Sequence, residues 1–131
     1  TGEKHSPPRD FTVWKDIVRQ IVLRYQGRVR HWEIWNEPNG PNFMKTAGSP
    51  YPAVKDGMLA AYLDICRHSI DAVKEAGVDA QVGGPVLATW GSAAFLDKFL
   101  ARADVGRHLG FLSHHIYFHA PAPNRCHPPT I

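Results

Sequence analysis

The sequence predicts an α/β fold, with parallel strands joined by helices that pack outside them. Helical and extended patterns alternate strictly, in the order helix, strand, helix, strand, helix, strand. The first two helical patterns each stop at a glycine, Gly27 and Gly77, as helices that end in a left-handed residue do. Strands linked by helical crossovers pair in parallel, because the chain returns to the same end of the sheet before each new strand begins.

Residues 1–10, with Pro7 and Pro8, read as a loop. Over residues 11–26, Trp14, Ile17, Val18, Ile21, Val22 and Tyr25 recur at three- and four-residue spacing, which makes an amphipathic helix. Residues 29–35 (VRHWEIW) are rich in β-branched and aromatic side chains and form the first strand, which ends at Asn36-Glu37-Pro38-Asn39-Gly40. Residues 38–57 hold four prolines and read as a long loop, a kind that often carries function. Residues 58–76 then place Leu59, Tyr62, Leu63, Cys66, Ile70 and Val73 on one helical face. Residues 78–86 make a short second strand ending in Gly-Gly-Pro, and Ser92 caps a helix that runs to about residue 103 through Phe95, Leu96, Phe99 and Leu100. Residues 110–118 (GFLSHHIYF) form the third strand. Residues 1–120 are therefore read as one partial domain and 121–131 as a Pro-rich tail that extends no packed element.

Composition excludes several classes of partner. At 44% hydrophobic and 21% charged over 131 residues, the chain is an ordinary globular sequence. Its net charge of +3 is spread along the chain without the Lys/Arg run that marks a nucleic-acid patch, so no nucleic acid is expected. No apolar run approaches the ~20 residues of a membrane-spanning helix, and the start lacks a signal-peptide pattern, so no membrane is expected either. Two cysteines, Cys66 and Cys126, are too few for a disulfide framework and mildly favour a reducing, cytoplasmic compartment.

In parallel α/β folds the ligand sits at the carboxyl ends of the strands. The first exit presents Trp35, Asn36, Glu37 and Pro38; the second Gly83, Gly84, Pro85 and later Trp90; the third Ser113, His115, Tyr117 and His119. A carboxylic acid, an amide, an imidazole, a phenol and indoles at one mouth suit a sugar, whose ring has an apolar side and whose hydroxyls need polar partners. Glu37, fixed in a turn just past a strand, is the candidate general acid, with Trp32 and Trp35 as apolar surroundings that would raise its pKa. A lone Asn-Glu pair reads more simply as a solvated turn; the full string EIWNEPN weighs toward the cleft.

HWEIWNEPN closely resembles the acid/base strand of clan A glycoside hydrolases, family 39 above all, which includes β-xylosidases and α-L-iduronidases. A helix ending in AVKEAG, a strand with VGGP, a tryptophan, a helix with FLDKFL and a strand reading FLSHHIY follow in the same order as in that family. The resemblance implies a (β/α)8 barrel, of which these segments match the third helix through the sixth strand, and an O-glycosyl hydrolase that uses no cofactor. It makes Glu37 the acid/base and Asn36 the amide that binds the sugar's 2-hydroxyl. His115 would line the sugar subsite, and Tyr117 would share its face and approach the nucleophile. Gly83 and Gly84 let the second strand's exit come close to the cleft.

The family's nucleophilic glutamate belongs to a later strand, and this sequence has no Asp or Glu after Asp104. The chain is thus expected to hold about half of a barrel that typically needs ~250 residues, to be inactive alone, and to self-associate through open sheet edges. A carbohydrate-binding remnant of such a barrel is the alternative. A zinc site built from His114, His115, His119, Cys126 and His127 is a further one, but the spacing is irregular and a single cleft histidine is the simpler reading. Trp90 suits either the sugar cleft or a cover over the top of the barrel.

Overall fold

A computed structural model of the protein describes residues 4–53, 55–88 and 92–116. Its elements follow the expected order: α1 (Phe11–Arg24), β1 (His31–Glu33), α2 (Lys55–Ala76), β2 (Gln81–Leu87), α3 (Ser92–Leu100), a single turn α4 (Ala103–Gly106) and β3 (Phe111–His114). The strands form one parallel sheet in the order β1-β2-β3, with His31 beside Gln81 and Gly83 beside Phe111.

Local chemistry explains the boundaries. Asp10 caps α1 by accepting from the backbone N–H groups of Thr12 (2.7 Å) and Val13 (3.3 Å), two of the donors a helix start leaves without an internal partner. Gly27 and Gly77 follow α1 and α2 with φ of 74° and 64°, the left-handed geometry that glycine adopts most readily. The expected single helix over 92–103 is instead α3 and α4. Arg102 leaves helical geometry (φ −89°, ψ 85°), and its N–H bonds back to Phe99 O in the tighter three-residue pattern. The first strand is also shorter than expected, because Trp35 turns into the left-handed region (φ 68°) directly after Ile34.

The core lies between the sheet and the helices, around Val22, Tyr62, Ile65, Cys66, Val82, Leu87, Phe95 and Phe99, all buried. Trp14 is half-buried against it and donates its indole N–H to Ser69 Oγ (2.9 Å), which bonds on to Ile65 O (2.7 Å) and so ties α1 to α2. The long loop is not structureless: Met44 is 1% exposed, and the hydroxyl of Tyr51 donates to Asp64 on α2 (2.7 Å). Asp64 also pairs with Arg67, which reaches on to Asp104 of α4 (2.8 Å). The Arg67 guanidinium holds the Asp104 carboxyl below its usual range, while burial and then Asp64 push the Tyr51 hydroxyl well up.

Cys66 is fully buried, and burial pushes its thiol up to about 12. With Cys126 replaced by Ser, Cys66 should not react with a thiol reagent near pH ~8 until the protein is unfolded, since the thiolate is the reactive form. Rapid labelling of the folded protein would contradict this burial.

Gly83 and Gly84 do different work on the two faces of β2. A methyl group at Gly83 would overlap the ring of Phe111, and one at Gly84 would overlap the hydroxyl of Tyr62, which donates to Ile34 O (3.1 Å). The register gains one residue on β2 between Gly83 and Val86, a bulge in which Gly84 takes φ 138°, a conformation L side chains rarely adopt. Gly84→Ala combines overpacking with backbone strain and should cost roughly 2–4 kcal/mol in urea unfolding, whereas a neutral result would mean that Tyr62 is not held there.

Candidate active site

Three consecutive residues at the exit of β2 organise the site. The N–H of Glu37 donates to Val86 O (2.8 Å), that of His115 donates to Leu87 O (2.9 Å), and Ala88 exchanges two hydrogen bonds with the side chain of Asn39. The chain that leaves β1 and the chain that leaves β3 are thus both fastened to the middle strand. This brings together two side chains 78 positions apart: His115 Nδ1 lies 2.8 Å from Glu37 Oε1. With the carboxylate ionised, the imidazole N–H is the donor of that bond.

Glu37 is 6% exposed and has φ 46°, the second non-glycine residue within three positions to be left-handed. Such conformations cost of order 1–3 kcal/mol and persist where surrounding contacts over-determine them, as the bonds to Val86 and His115 do here. Glu37 also lines a cavity of about 230 Å³ with Asn39, Gly40, Pro41, Asn42, Phe43 and Ala88. Asn36, beside it, is exposed.

The pattern of half-buried and exposed residues sends Phe111, Ser113 and His115 to one face of the third strand's segment and Leu112, His114 and Ile116 to the other. His114 and His115 therefore do not converge on one ion. His119, Cys126 and His127, the other members of the imagined zinc set, lie outside the described residues. So do Trp90, Tyr117 and the boundary between residues 120 and 121.

One expectation about the surroundings of Glu37 needs correction. Trp32 and Trp35 line a different groove, formed with Trp14, Val18, Ile21 and Val22 on the α1 side, and neither is among the described residues that line the cavity at Glu37. Trp32 sits one residue before Glu33 on the strand and packs near Tyr25 (6.2 Å between ring centroids), while Trp35 donates its indole N–H to Phe43 O (2.7 Å). Trp35 shapes the loop beyond Glu37 through that bond. The residue that sequence reasoning passed over is Asn39, whose position in an Asn-Glu-Pro-Asn-Gly string reads as an ordinary turn.

The sequence profile of glycosyl hydrolases family 39 matches residues 3–124. The chain belongs to that family. Among curated members, it is 32% identical over 120 residues to a β-xylosidase of Geobacillus stearothermophilus and 27% identical over 119 residues to one of Caldicellulosiruptor saccharolyticus. Each match takes in 86% of this chain but only 22% of the relative's length. A solved family 39 β-xylosidase from Caulobacter crescentus superposes with a TM-score of 0.64 at 28% identity, covering 86% of this chain and 24% of that one. A family 39 enzyme from Xanthomonas axonopodis pv. citri does so with a TM-score of 0.60 at 25% identity, covering 85% and 21%. The three-stranded parallel sheet with its helices is accordingly a segment of the family 39 barrel, and the expected (β/α)8 fold class holds. Among the described residues no helix is long and apolar enough to cross a membrane.

Proposed function

We propose that this family 39 chain carries the acid/base part of a retaining O-glycosidase site whose substrate is a β-xyloside or a related glycoside. One observation supports this above all: a buried glutamate at a strand exit is held by an imidazole and opens onto a cavity. In the first step Glu37 protonates the departing glycosidic oxygen, and in the second it takes a proton from the attacking water. His115 fixes one carboxylate oxygen, so the acid is presented in a set orientation. Asn36 binds the 2-hydroxyl, and the family pattern assigns Tyr117, which like Trp90 lies outside the described residues, to the substrate subsites. The nucleophilic carboxylate comes from polypeptide outside these 131 residues, since no Asp or Glu follows Asp104. Proton transfer and displacement complete the cycle without a cofactor.

The β-xylosidase relatives make aryl β-xylosides the substrates to try first. The test is turnover of such a substrate by the whole polypeptide that contains this segment, alongside calorimetric binding of xylose oligomers. Hydrolysis with retention of anomeric configuration is expected. Saturable binding with no turnover would replace this reading with the carbohydrate-binding one.

A further inference from the structure

We infer that Asn39 is a positioning residue for Glu37, acting through a two-way amide clamp on the backbone of Ala88. The inference rests on the reading of Glu37 as acid/base. Asn39 Nδ2 donates to Ala88 O (3.1 Å), and Ala88 N donates to Asn39 Oδ1 (3.0 Å). Both residues are buried, and both line the cavity at Glu37. Ala88 stands one residue past the end of β2, where the parallel ladder stops but burial does not. A buried backbone N–H and C=O at that point need partners, and a primary amide supplies one donor and one acceptor at the spacing of a ladder rung. Ionised Asp lacks the donor, Ala lacks both groups, and Gln is a methylene too long.

The clamp matters because of what lies two residues upstream. Glu37 holds a left-handed backbone conformation that only external constraint maintains, and the bond from its own N–H to Val86 O constrains it on one side. On the other side, Gly40 N donates to Glu37 O (2.9 Å), closing a turn whose far limb Asn39 fastens to β2. Without the amide, that turn keeps its internal bond and the Glu37–Val86 bond but loses the two bonds that fasten its far limb at Ala88. The carboxyl would then drift relative to a bound glycosidic oxygen, and proton transfer, the step most sensitive to its position, would suffer first.

The test uses the whole enzyme and measures kcat/KM on phenyl and dinitrophenyl β-xylosides for Asn39→Ala, Asn39→Asp and Glu37→Gln. Asn39→Ala should lower kcat/KM on the phenyl substrate by roughly 10- to 100-fold, the scale of a small misplacement, and leave the dinitrophenyl substrate within about threefold. Asn39→Asp restores both bonds only when its carboxyl is protonated. Its phenyl activity, as a ratio to the unsubstituted enzyme, should therefore rise toward one at acid pH and fall as pH increases. This variant also serves if Asn39→Ala does not fold. Equal losses on both substrates, or a lower melting temperature with no change in that ratio across pH, would overturn the positioning role while a leaving-group-dependent Glu37→Gln left the acid reading standing. A Glu37→Gln enzyme that loses both substrates equally would overturn the acid reading itself and the role of Asn39 with it.

Discussion

Replacement of Glu37 by Gln should lower kcat/KM on phenyl β-xyloside by roughly 10²- to 10⁴-fold, the usual contribution of general acid/base catalysis. Gln keeps the shape of Glu37 and still accepts a hydrogen bond from His115 Nδ1, now 2.8 Å from Glu37 Oε1, so the site is preserved while the transferable proton is lost. A dinitrophenyl group departs without protonation, so its glycosylation step is largely spared. Azide, which attacks without a base, should restore the second step and yield glycosyl azide. Asn36→Ala should instead slow every substrate, because a contact with the 2-hydroxyl strengthens in the transition state whatever the leaving group. If Glu37→Gln slows both leaving groups alike and azide does nothing, Glu37 binds or supports, and the acid lies elsewhere.

The 131-residue chain by itself should give no measurable turnover and should self-associate. Among the described residues β1 and β3 are edge strands, each with one side of its backbone unpaired by the sheet. Beside β1, Val13, Ile17 and Ile21 of α1 are 55%, 46% and 42% exposed and stand four residues apart, a continuous apolar stripe. Beside β3, Leu112 and Ile116 are 53% and 67% exposed on the face turned away from His115. Burying an aliphatic side chain of this size is worth on the order of 1.5–3 kcal/mol, so two such borders favour contact between copies. Light scattering after size exclusion should show a mass above the monomer that falls when Ile17 and Ile21 are replaced by charged residues. A monodisperse monomer that hydrolyses aryl xylosides briskly would contradict both the missing-nucleophile argument and this one.

The fold was legible because its signals are local. Helix-period apolar spacing located α1 and α2, Gly27 and Gly77 marked their ends, and alternation with strand-like runs fixed parallel pairing. Boundaries that depend on a partner were less so: residues 29–35 look uniformly strand-like, yet Trp35 turns away once Ile34 N has bonded to Gly83 O (3.1 Å). Glu37 and His115 are both legible as strand-exit residues, because that rule is topological and needs no knowledge of which side chains touch. Their hydrogen bond was not foreseeable, since it spans 78 positions and depends on how far each chain travels past its strand. Nearness in sequence suggests Trp32 and Trp35 beside Glu37, but with the backbone left-handed at both Trp35 and Glu37 the two indoles line another groove. Asn39 escaped notice for the same reason in reverse: its partner lies 49 residues away.

The consecutive bonding of Glu37, His115 and Asn39 to Val86, Leu87 and Ala88 makes β2 the ruler against which the two flanking chains are measured. A ruler constrains length variation. A residue inserted at the exposed Ala47-Gly48 tip of the loop would be absorbed on the surface, whereas a single residue added or lost between Val82 and Ala88 would hand each carbonyl to the wrong claimant and invert which face each side chain takes. Length variation should therefore collect at the tip of the loop that follows Glu37 and be excluded from the seven residues of the middle strand, even though none of those seven carries a reactive group.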